Sequence, residues 1–174
     1  MACTLTQGFT PKTCKTPSGT MEFMITDFAN VTAITKTSGV ITAISMASGK
    51  QFWRYKQKPE VANWKETQTA DSKSGAYKFE TAITFDINSL DSATKIETEL
   101  LLKNAVVVIA KDADGTYWLL GEDNGVEFDS IGWDGGTEYS SFRGAKVSGK
   151  HMGFTPVAKV TDTLIAALIL PQSP

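Results

Sequence analysis

Ala105–Phe128, AVVVIAKDADGTYWLLGEDNGVEF, decides the fold class. Ala105–Ala110 is a continuous β-branched run, the pattern of a strand buried on both faces. Asp112-Ala-Asp-Gly115 supplies turn chemistry, because aspartate side chains bond nearby backbone and glycine permits positive φ. Thr116–Leu120 is a second strand of aromatic and aliphatic residues. Asn124-Gly125 is a strong short-range hairpin signal. The segment therefore predicts strand, turn, strand, turn, strand: a β-meander with no catalytic residue in it.

Upstream, Met1–Thr20 holds Gly8, Pro11, Pro17 and Gly19 among threonines and lysines and reads as an N-terminal arm. Residues 21–174 form the expected single domain. Met21–Phe28 alternates, with Met21, Phe23 and Ile25 opposite Glu22, Met24 and Thr26. Val31–Thr35, Val40–Met46 and the alternating Phe52–Lys56 are further strands. Residues 63–87 predict a long hairpin: Asn63–Ala70 and Ala76–Ile87, joined by the polar Asp71–Gly75. Asn88–Asn104 predicts one helix, at about 89–103, capped by Asn88 and stopped by a left-handed Asn104. Its expected buried stripe is Leu90, Ala93, Ile96, Leu100 and Leu101.

Downstream, Glu138–Lys150 alternates again and predicts a strand. Leu164–Leu170 is too short for a membrane span of ~20 residues and reads as a terminal core strand or short helix. No secretory signal is expected, since Met1–Gly19 lacks an apolar core of sufficient length. About ten strands and one helix imply a mainly β fold, a sandwich or barrel with a helix packed on it.

Composition narrows the function classes. The chain has 174 residues and a net charge of −2, with 22 threonines favouring strands. Only two arginines occur, Arg54 and Arg143, so a phosphate clamp or base reader is not expected. Cys3, Cys14 and the lone His151 are too few for a zinc site, and no metal or cofactor is expected. Free thiols are the expected state of the two cysteines, with a disulfide between them the alternative. No phosphate-binding loop, dinucleotide fingerprint or zinc-protease motif is present. Asp112-Ala-Asp114-Gly115 lacks the remaining ligands of a calcium loop.

One charge feature stands out. Asp112–Glu138 contains eight acids and no Lys or Arg, whereas the remainder has 17 basic and 11 acidic residues. Such a block is either a solvated edge that blocks unwanted strand pairing or a wall that repels phosphate. Glu122, Asp123, Glu127, Asp129, Asp134 and Glu138 are the candidate channel- or interface-facing acids. Leu5 and Phe9, as apolar residues of the arm, and Trp64 and Trp133, since Trp is enriched at binding hot spots, are candidate interface anchors. Trp53 and Trp118 lie in strand patterns and are expected in the core.

Three stretches together resemble a known family. The V/I run followed by D-x-x-G-x-Y-W-L-L-G-x-x-N-G at Ala105–Gly125 is the first. Met1-Ala-Cys-Thr-Leu-Thr-Gln-Gly-Phe-Thr10, with Cys14 following, is the second. Val40-Ile-Thr-Ala-Ile-Ser-Met-Ala-Ser-Gly-Lys50, before Phe52 and Tyr55, is the third. They resemble virion structural proteins of Bacteroidetes-infecting phages: tail-tube-like proteins and the neck and tail ring proteins of crAss-like phages. The likeness is weakest between Val61 and Glu80.

The resemblance implies a non-enzymatic protein with a tail-tube-type fold. It would assemble as a hexameric or dodecameric ring beside portal or other neck and tail proteins, and DNA would pass through without specific binding. The protein would be made in the host bacterial cytoplasm and end in the virion. The alternative expectation is a β-sandwich binding module, a fibre or decoration protein recognising carbohydrate or a host surface. A small enzyme using carboxylates is the third.

Overall fold

A computed structural model describes residues 8–11 and 14–169. Eleven strands and two α-helices occur among them, against the ten strands and one helix expected. The strands form two separate sheets with open edges, so the architecture is a sandwich and not a closed barrel.

The seven-stranded sheet is built around β7 (Val106–Asp112). Beside β7 lie β1 (Thr20–Asp27) and β8 (Tyr117–Leu120), both antiparallel to it. Beyond β1 the edge strand is β4 (Trp53–Lys56). Beyond β8 come β11 (Ala158–Val160), then β3 (Val40–Met46) and β2 (Val31–Thr37). The four-stranded sheet has the order β5 (Asn63–Ala70), β6 (Tyr77–Ile87), β10 (Gly144–Gly153) and β9 (Glu127–Asp134).

β7 is buried on both faces, as its unbroken apolar run requires. Val106, Val108 and Ala110 pack with Phe23, Ile25, Ile83, Phe85, Phe128 and Val147 between the sheets. Val107 and Ile109 face the other way, into a second core with Met24, Ile41, Phe52, Val160 and helix α2 (Asp162–Leu168). The terminal apolar run is thus a helix, and Leu170 lies outside the described residues.

The two sheets cross steeply. The row Phe128–Gly149–Ile83–Trp64 spans the four-stranded sheet from edge to edge. Its Trp64 end meets Asp112, while its Phe128 end lies beside Val126, which bridges Val106. The row therefore runs along β7, and the strands above it run across.

Four local expectations are corrected. The Asn124-Gly125 turn does not close a hairpin. It carries the chain from β8 in one sheet to β9 in the other. Gly121 makes the crossing, at φ 82°, where an added Cβ would lie 2.8 Å from the Val126 nitrogen. Helix α1 spans Ser92–Lys103, and its cap is Asp91, whose Oδ1 accepts from Thr94 N at 2.6 Å. Asn104 is extended and not left-handed (φ −113°). Residues 138–143 form turns, with Ser141 Oγ accepting from Glu138 N at 3.1 Å, so β10 begins only at Gly144.

Candidate functional site

The β5–β6 hairpin matches its predicted span, with Ala70 opposite Tyr77 across the turn. One face of β6 carries Tyr77, Phe79, Thr81, Ile83 and Phe85. Thr81, Ile83 and Phe85 are buried in the sandwich, whereas Tyr77 is 61% exposed. The neighbouring strand β10 ends at Gly153, opposite Phe79, so the last rungs of the hairpin extend past it. Tyr77 and Phe79 pack edge to face at 5.8 Å near the tip. Asp71 holds the turn, accepting from Lys73 N at 2.9 Å and Ser74 Oγ at 2.8 Å. These bonds hold the carboxyl below its ordinary pKa. The outer edge of β5 has no strand beside it among the described residues.

At the opposite flank, α1 buries only part of the expected stripe: Leu101 is buried and Leu90 half-buried, whereas Ala93 is exposed. The helix buries Thr98 and Leu101 and turns Ile96 (60% exposed) and Leu100 (45% exposed) outward. Thr98 fits the buried face because its hydroxyl bonds back to the carbonyls of Thr94 and Lys95, both at 2.9 Å. Trp53, expected in the core, is 55% exposed on the edge strand β4. A groove of about 120 Å³ runs between these elements, lined by Ile25, Trp53, Tyr55, Leu100, Asp27 and Glu97 among others. Burial, with Glu97 and Asp27 nearby, pushes the Tyr55 hydroxyl pKa up to about 12.

The acidic segment is dispersed. Glu122 pairs with Lys36, and Asp129 with Lys150 at 3.3 Å. Asp123 accepts from Phe154 N (2.7 Å), Thr155 N (2.8 Å) and Thr155 Oγ1 (2.6 Å), which makes it a loop fastener. Glu127, Asp134 and Glu138 are exposed and form no ion pair among the described residues.

Of the anchor candidates, Trp64 is half-buried. It donates Nε1–H to Asp112 at 3.0 Å and packs tilted against Trp118, with ring centres 5.8 Å apart. Trp133 is half-buried with the Lys95 ammonium 5.5 Å from its ring centre. Phe9 is 93% exposed, and Leu5 lies outside the described residues.

His151 is buried and bonds the Gly125 carbonyl through Nδ1 at 2.8 Å. A carbonyl only accepts, so Nδ1 carries a proton and the ring fastens β10 to the crossover turn. Among the described residues, no three His, Cys, Asp or Glu side chains gather as a metal would need. Nor is any helix there long and apolar enough to cross a membrane.

No known family, characterised protein or solved structure matches this chain. The surfaces that sequence reasoning missed, Trp53 with Ile96 and Leu100, carried the same apolar periodicity as core. Only the sheet order reveals that β4 is an edge.

Proposed function

We propose that this protein is a non-enzymatic virion component that assembles into a closed ring in the neck or tail conduit of a phage. The observation carrying the reading is the β5–β6 hairpin, which presents an unpaired strand edge and exposed aromatics beyond the sandwich. An exposed edge of this kind is a template for pairing with another chain. Open edges at β2 and β4 supply partners on the other sheet. Identical subunits joined head to tail close into a ring.

A tail-tube-type sandwich, six or twelve copies, and neighbouring portal or ring proteins are what the sequence resemblance adds. The exposed Glu127, Asp134 and Glu138, which form no ion pair among the described residues, suit a bore that passes DNA without holding it, because carboxylates repel phosphate. Negative-stain imaging with sedimentation of the purified protein tests the reading. Rings with a central hole are expected. A monomer at all concentrations overturns it in favour of the binding module.

A further inference from the structure

The groove between β4 and α1 has the features of a site for an extended, basic, apolar segment. Ile25, Trp53, Leu100, Leu101 and Val106 are its apolar lining, beside the uncharged polar Thr26, Asn30 and Asn104. Its charged lining residues are Asp27 and Glu97, with no Lys or Arg among them. The outer backbone edge of β4 lies beside it, unpaired among the described residues. An added strand gains main-chain hydrogen bonds from such an edge and specificity from side-chain pockets next to it.

The chain itself holds one segment of matching chemistry. Residues 1–19 contain lysines and no acid. Phe9 is 93% exposed, and every described residue from 8 to 19 is exposed. Its own groove lies at the far end of the strands from the arm's root. The arm enters the fold at Thr20, which pairs with Asp112, whereas the groove lies at the Asp27 and Val106 end of the same strands. Eight residues of β1 separate the two ends by about 23 Å. The Gly19 carbonyl accepts from Ala113 N at 2.8 Å, so the root of the arm lies beside the β7–β8 turn, on the side of β1 away from β4.

From this placement we infer that the β4–α1 groove receives the N-terminal arm of a second copy, with Phe9 as its apolar anchor. The inference rests on the ring reading and names the surface that joins neighbours. Asp27 and Glu97 attract the basic arm, and Trp53 with Leu100 clasps its aromatic ring.

The test uses the full chain with the photoreactive p-benzoylphenylalanine in place of Phe9. It is mixed with isotope-labelled unmodified protein at concentrations where sedimentation shows assembly. Irradiation should join the arm to peptides of β4 or α1 in the labelled copy, as read by mass spectrometry. Glu97→Lys and Leu100→Asp should each weaken self-association about tenfold while leaving the circular dichroism spectrum unchanged. Assembly with adducts confined to other surfaces, or within one chain, overturns the inference and leaves the ring reading standing. Absence of any assembly overturns both.

Discussion

Asp123 shows how one carboxylate can set a local structure. Three hydrogen bonds from Phe154 and Thr155 converge on it, and His151 fastens the same turn at the Gly125 carbonyl. Partial burial pushes its pKa up, but the Thr155 and Phe154 bonds, with His151 nearby, outweigh this and hold it below the ordinary value. A depressed folded pKa means stability present above the unfolded value and lost as pH falls through the folded one. Asp123→Asn should therefore flatten the acid limb of the stability curve below about pH 4. At neutral pH it should cost about 1–3 kcal/mol, measured by denaturant titration. Glu22 is buried and paired through both oxygens to Arg54, with Nη2 at 2.9 Å. Arg54→Ala leaves that carboxylate buried without its partner, and a loss of about 3 kcal/mol is expected.

At the scale of elements, helix α1 separates packing from periodicity. Leu101→Ala should cost about 2–4 kcal/mol, because Leu101 reaches the core between the sheets. Ile96→Ala should stay within about 0.5 kcal/mol, although the apolar stripe treats the two alike. Thermal unfolding of both variants checks the contrast. The hairpin is the complementary case. In a monomer, amides of Thr67–Tyr77 should exchange faster than those of Ile83–Ile87, and ring assembly should slow them. Equal exchange in both states would remove the hairpin from the interface.

These elements also show what was legible in the sequence. β7, the β5–β6 hairpin and the β7–β8 turn were readable because their signals are local: a β-branched run, period-two alternation, and Asp and Gly at turn positions. The crossover at Gly121–Gly125 was not, since a turn that leaves a sheet has the same residues as one that closes a hairpin. The outward face of α1 and the exposed Trp53 were hidden for a related reason. Amphipathic spacing says that a face is apolar, and only the long-range sheet order says whether anything covers it.

For the whole molecule, the charge separation along the chain is partly undone in space. Glu122 and Asp129 meet lysines from outside the acidic stretch, Lys36 and Lys150, and Asp123 is consumed by backbone amides. Glu127, Asp134 and Glu138 are left as exposed carboxylates without an ion-pair partner among the described residues. In a ring each would be repeated in every subunit, so three modest charges per copy add to a strong field in a narrow bore. Screening over about 10 Å at 0.1 M salt confines that field to the bore or to a close ring–ring contact. Replacing the three with Gln, Asn and Gln should change the folding stability by no more than about 0.5 kcal/mol, because exposed acids contribute little to it. Ring stacking, or retention of DNA by assembled rings, should change instead, and increasingly so at low salt. Sedimentation of variant and parent rings with and without duplex DNA reads both effects. Identical behaviour across salt would place these carboxylates on an outer, solvated wall, where their role is to keep the β9 edge from pairing.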